Sequence, residues 1–84
     1  MPTEVIADNR HVNGAQLRRL RFIDFLLDHY GQFNRAVIMD YFGMSQPQAS
    51  LDIQAYIQLA PGNVEYNRSR KYYERTTQYE RAIR

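Results

Sequence analysis

Phe42-Gly43-Met44-Ser45-Gln46-Pro47-Gln48 places the end of one helix and the start of another only one residue apart. Gly43 suits the left-handed position that closes a helix. Ser45 is an N-cap residue, Pro47 fits the first turn and Gln48 stands at N3, a capping-box signature. A glycine between the two lets the chain reverse sharply, so the helices cross at a steep angle. Downstream, Ala49, Ile53, Tyr56 and Ala60 recur at i, i+4, i+7 and i+11 and predict a core face, with Pro61-Gly62 ending the helix near Leu59. Upstream, Asn34 caps a short helix over Arg35–Phe42. Its expected buried stripe is Ile38, Tyr41 and Phe42, with Val37 or Met39 at the edge.

A longer helix precedes it, over residues 15–30, with Asn13 and Gln16 as its capping box. Leu20, Ile23, Leu27 and Tyr30 form its stripe, Phe22, Phe25 and Leu26 widen the apolar face, and Gly31 stops it. After the third helix, residues 63–66 alternate as a strand, Asn67-Arg68-Ser69-Arg70 is a turn cluster, and residues 71–75 return as a second strand. The expected fold is mainly α with a β-hairpin: a winged helix-turn-helix of three helices followed by a hairpin wing. It spans residues 15–76, with an N-terminal arm over 1–14. Residues 77–84 show no period and are expected to be a tail, either a frayed helix or the start of a linker.

The stretch from Leu20 to Tyr73 resembles the N-terminal winged helix-turn-helix domain of WYL-domain transcriptional regulators, and more distantly the DeoR-type domain. The resemblance lies in Arg21-Phe22-Ile23-Asp24-Phe25, Gly31, Asn34-Arg35, Phe42-Gly43-Met44-Ser45 and Gln48-Ala49-Ser50-Leu51-Asp52-Ile53. It continues through Tyr56, Leu59-Ala60-Pro61-Gly62-Asn63, Tyr66, Ser69, Lys71 and Tyr73. It implies sequence-specific binding of double-stranded DNA, usually as a repressor acting as a dimer. Members of the family carry a C-terminal WYL ligand-sensing domain that is absent from these 84 residues. The chain is expected to be either an excised domain or a stand-alone relative, weakly associating or monomeric in isolation and pairing as a homodimer on DNA. At Ser50 and Leu51 the DeoR-type pattern has arginines instead.

Gln46, Gln48, Ser50 and Leu51 lie on the first turns of the third helix, off its core stripe. Glutamine can pair with adenine, serine with several base edges, and a leucine with a thymine methyl. For Gln48 the competing role is closing the capping box on Ser45, and for Leu51 a packing contact. Arg68 and Arg70 flank the hairpin tip, where they and Lys71 are candidates for phosphate contact rather than mere solubilising charge. Arg35, at the start of the second helix, is a fourth phosphate candidate. Arg18, Arg19 and Arg21 are expected on a solvated helix face, with Asp52 pairing with a nearby cation. Tyr30, Tyr41, Tyr56, Tyr66 and Tyr73 are assigned to core stripes rather than to base stacking. Phe25 sits off the main stripe, as a candidate protein interface or a residue packed under the arm.

Charge and composition bound the remaining classes. Net charge is +2 over the whole chain, yet residues 66–84 alone carry six cations against Glu74 and Glu80. Ten of the eleven cations are arginine, whose fork suits phosphate. There is no cysteine, which removes disulfides and sulfur-ligated zinc. His11 and His29 have no carboxylate at metal-ligand spacing, and there is no phosphate loop or nucleophile motif. The expectation is a non-enzymatic, cytoplasmic regulator with no cofactor, no metal and no membrane partner. The rival expectation is a winged-helix protein-interaction module without DNA binding.

Overall fold

The computed structural model describes residues 14–83. Of the arm expected over 1–14, all but Gly14 lies outside the described residues, as do Asn13 as a cap and Arg84. Three helices come first: α1 (Gly14–Tyr30), α2 (Arg35–Phe42) and α3 (Gln46–Leu59). The strands are β1 (Gln32–Phe33), β2 (Val64–Asn67) and β3 (Tyr72–Arg75), in the sheet order β1-β3-β2. Both pairings are antiparallel. The order and fold class match the expectation from sequence. The sequence reading missed β1. Two residues are too few to show a period, and β1 exists only because β3 offers it a paired edge, Gln32 opposite Glu74 and Phe33 opposite Tyr73.

The caps fall where the sequence puts them. Asn34 accepts a hydrogen bond from Val37 N at 3.0 Å, and Ser45 Oγ accepts from Gln48 N at 3.3 Å. Gly31 and Gly43 both take the left-handed conformation. At Gly43, φ is 64°, and Met44 N reaches back to Met39 O at 3.0 Å, tying off the end of α2.

Leu20, Ile23 and Leu27 of α1 meet Ile38 of α2 and Ala49, Ile53 and Tyr56 of α3 in one core, closed by Phe33, Val64 and Ile83. Three tyrosines assigned to core stripes lie outside it. Tyr30 and Tyr41 are each 67% exposed and Tyr66 is 47% exposed. Tyr30 ends its helix just before the chain reverses, where the rings of Phe25 and His29 cover it only in part. On eight-residue α2 the turn after Ile38 brings Phe42 inward. Tyr41 then falls on the outer side, stacked 4.2 Å from Phe22. Tyr66 is on an edge strand, where it extends a cross-strand row of rings: Phe33 stacks on Tyr73 at 5.1 Å, and Tyr73 meets Tyr66 at 4.7 Å.

At the centre of the core lies a carboxylate. Asp24 is fully buried. It accepts hydrogen bonds from Tyr56 Oη at 2.5 Å, Tyr79 Oη at 3.2 Å, Ala82 N at 3.1 Å and Ile83 N at 3.2 Å. Asn63 adds a second clamp, donating to Tyr56 Oη at 3.1 Å and to Glu80 O at 2.7 Å while accepting from Glu80 N at 3.0 Å. These bonds draw the segment after residue 76 onto the body of the domain, and Ile83 is a core residue. The tail expected from 77 onward is therefore packed structure, at least to Ile83. It has no period because its backbone is satisfied by side chains of Asp24 and Asn63 rather than by a ladder.

No atom lies within 4 Å of where a Cβ would stand on Gly43, so a substitution there meets only backbone strain. Gly43→Val is expected to cost about 1–2 kcal/mol and Gly43→Asn distinctly less, measured by denaturant unfolding. Equal costs would mean that conformation is not what selects glycine. Burial, reinforced by the bond to Asp24, holds the Tyr56 hydroxyl far above the ordinary tyrosine range. Burial and the Asp24 charge do the same for Tyr79. Unfolded tyrosines lose their protons near pH 10, whereas the folded domain keeps these two. Stability is thus fully present below about pH 10 and falls above it, by about 1.4 kcal/mol per pH unit for each tyrosine. Tyr56→Phe should remove about half of this slope, and an unchanged slope would place the titration elsewhere.

Candidate nucleic-acid interface

The face of α3 opposite the core carries the candidate base readers. Its core stripe of Ala49, Ile53 and Tyr56 leaves Gln46 exposed on the first turn and Leu51 61% exposed one turn further on. Gln48 and Ser50 are half-buried, and both have partners within the domain. Gln48 Nε2 donates to Asp52 Oδ1 at 3.3 Å, while its backbone N–H serves the Ser45 cap. Ser50 Oγ accepts from Arg35 Nη1 at 3.2 Å. That bond ties the start of α2 to α3. It leaves the Ser50 hydroxyl proton available to donate outward.

Asp52 pairs with a cation, as its sequence position suggested. Arg19 grips it with both forks, Nε to Oδ2 at 2.6 Å and Nη2 to Oδ1 at 3.3 Å. This corrects the reading of Arg19 as a solvated residue. The Asp52 side chain is fully buried and that of Arg19 only 20% exposed. A helical repeat finds positions on one helix but cannot show a partner 33 residues away. The pair turns the one acid of α3 inward, away from the outer face.

The hairpin joins β2 and β3 through Arg68, Ser69, Arg70 and Lys71, all exposed. Asn67 shapes the turn, accepting from Arg70 N on its side chain at 3.0 Å and from Lys71 N on its backbone at 2.7 Å. Among the described residues, Arg68, Arg70 and Lys71 pair with no carboxylate. The period of the strands separates the two faces of the wing. Tyr66 stands opposite Tyr73 on one, and Glu65 opposite Glu74 on the other. The acidic groups are therefore on the face turned from Tyr66.

Between the helices and the wing lies a cleft of ≈ 290 Å³ lined by Asn34, Arg35, Ala36, Met39, Gln46, Tyr66, Lys71 and Tyr73. It gathers three of the candidates, Arg35, Gln46 and Lys71. Arg68, Arg70 and Leu51 stand apart from it, and Ser50 reaches it only through its bond to Arg35. Tyr66 lines the cleft but is not among the sequence candidates, because its alternation with Val64 reads as a buried position. Its place on an edge strand was the available contrary signal.

Phe25 is 39% exposed. It belongs to a strip of rings on the α1 and α2 surface, stacked 4.6 Å from His29 and 6.5 Å from Phe22. This strip is separate from the cleft. Among the described residues no helix is long and apolar enough to cross a membrane.

A family model described as the BrxR transcriptional regulator winged helix-turn-helix domain matches residues 15–83. The chain is 52% identical over 62 residues to a protein of Escherichia coli (strain KTE188) named DNA-binding transcriptional repressor CapW. That match covers 74% of this chain and 21% of the relative. A protein of the same name in Pseudomonas aeruginosa is 48% identical over 81 residues, covering 93% of this chain and 27% of the relative. A third, in Stenotrophomonas maltophilia, is 41% identical over 68 residues, covering 81% and 23%. The chain thus spans about a quarter of the length of the curated relatives it matches.

Proposed function

Since the chain belongs to the family of BrxR transcriptional regulator winged helix-turn-helix domains, we propose that it binds double-stranded DNA as the recognition module of a transcriptional repressor. Helix α3 enters the major groove, about 12 Å wide, with its first turns toward the base edges. The wing lies on the backbone. The observation that carries this reading is the outer face of α3, cleared of acid by the buried Arg19–Asp52 pair and set beside a hairpin tip of three cations.

Gln46 and Leu51 are the readers with side chains toward solvent. Ser50 reads as a donor, its oxygen being engaged by Arg35. Gln48 reads with the part of its amide that Asp52 does not hold. Arg68, Arg70, Lys71 and Arg35 meet phosphates. Resemblance to regulators that act as dimers makes paired half-sites, about one helical turn apart, the expected form of the operator. In-vitro selection of duplexes from a random pool tests both the binding and the pairing, through a sharp motif and through its palindrome.

The wing and α3 are expected to fail differently. Arg68→Ala with Arg70→Ala removes contacts to groups common to every sequence. All duplexes should weaken by similar factors, and the slope of log affinity against log salt should flatten by roughly 2. Gln46→Ala or Ser50→Ala should cost ~1–3 kcal/mol at the selected site, spare non-specific binding and leave the salt slope nearly unchanged. Fluorescence anisotropy across a salt series measures both. The opposite pattern would give the wing the reading role, and no effect from either set would remove DNA from this face.

A further inference from the structure

Lys71 occupies a backbone position that lysine rarely takes. Its φ is 62°, in the left-handed region, and among the described residues it is the one non-glycine there. A hairpin turn that ends in this conformation usually places glycine at that point. Nothing in the turn calls for lysine: its defining bonds run from backbone N–H groups of Arg70 and Lys71 to Asn67. Lys71, however, lines the cleft between wing and helices, together with Arg35, Gln46 and Tyr66. Among the described residues no carboxylate lines that cleft. Arg35 is held in place there by its bond to Ser50 Oγ at 3.2 Å. At about 30 Å³ per water the space takes roughly ten waters, room for a phosphodiester group and its hydration.

We propose that this cleft seats one backbone phosphate of duplex DNA between Lys71 of the wing and Arg35 of α2, and that Lys71 holds its strained backbone for this contact. The inference rests on the DNA-binding reading above and adds to it a defined site. The seat adjoins Gln46, so the phosphate held there lies next to the base that Gln46 meets and sets the register of α3 in the groove. Backbone strain at a functional position is a known arrangement, in which local stability is lower so that a side chain can be aimed.

The test uses the 84-residue protein, a mixed-sequence 20-base-pair duplex and a salt series, with thermal melting alongside. Lys71→Gly should move two readouts in opposite directions. The melting temperature should rise by about 4 °C as the strain is relieved. Duplex affinity should fall several-fold; the salt slope should flatten by less than the roughly 0.9 of a whole phosphate contact while Arg35 remains, and by about 0.9 once Arg35→Ala is added. Lys71→Arg should keep the wild-type slope and melting temperature. Arg35→Ala added to Lys71→Gly should lose less affinity than the product of the two single losses, because both serve one phosphate. A raised melting temperature with unchanged affinity and slope would overturn the seat while leaving DNA binding intact. A lowered melting temperature would overturn the strain argument, and fully independent losses would overturn the shared phosphate. Wild-type protein that fails to bind the duplex at low salt would overturn both this inference and the function it rests on. Amide shifts of 15N-labelled protein separate the two sources of phosphate. Duplex should shift Arg35 and Lys71, and inorganic phosphate at matched ionic strength should not. Equal shifts from both would reassign the cleft to free anions and overturn the nucleic-acid seat.

Discussion

The fold depends on a carboxylate placed where a hydrophobic residue would be expected. Asp24 follows Leu20 by four residues and precedes Leu27 by three, so it lies on the buried stripe of α1. A buried carboxylate is costly unless its oxygens are satisfied. Here the donors come from α3 through Tyr56, from Tyr79, and from the backbone of Ala82 and Ile83. One side chain thereby joins the first helix, the third helix and the closing segment. The arrangement is specific in a way that burial alone is not, because each donor must reach the same two oxygens. Loss of Asp24 itself would leave the Tyr56 hydroxyl and the backbone N–H groups of Ala82 and Ile83 without this acceptor beside a core of Leu, Ile and Tyr.

Helix α3 is shaped by polar bonds on both of its sides. Tyr56 anchors the inner side to Asp24, and Asp52 anchors a flank to Arg19 of α1. A helix held at two points along its length presents its outer residues at a fixed angle to the wing. Arg35 adds a third tie, from α2 to Ser50. The same bonds limit what the outer residues can do. Of the four candidate readers, Gln46 and Leu51 face solvent, whereas Gln48 and Ser50 each have a hydrogen-bonding group already engaged. The resulting face combines freely presented groups with oriented ones, an arrangement suited to reading a few base edges at one register.

Much of this was legible in the chain. Helix ends are written in local chemistry, and Asn34, Gly43, Ser45 and Pro61-Gly62 mark them within one or two residues. The core positions Leu20, Ile23, Leu27, Ile38, Ala49, Ile53 and Tyr56 follow from a period of 3.6, and the wing follows from alternation around a polar turn. Local signals failed where a position depended on a distant partner. Tyr30, Tyr41 and Tyr66 satisfy the apolar pattern of their own element, but their ring neighbours cover them only in part. Arg19 looked solvated, and residues 77–83 looked like a tail, because Asp52, Asp24 and Asn63 lie far from them in sequence.

The sequence by itself determined the order of the three helices and the hairpin, the helix ends, the helix-turn-helix and the basic turn, since each depends on residues within a turn or two of one another. Only the tertiary structure decided how these parts bear on function. It buried Asp52, bonded Arg35 to Ser50, and brought Lys71, Arg35 and Gln46 to one cleft. Those groups come from elements separated by tens of residues, and their meeting depends on packing angles that no local period encodes. The segment after residue 76 belongs to the domain for the same reason: its donors find their acceptors on a helix more than fifty residues earlier in the chain.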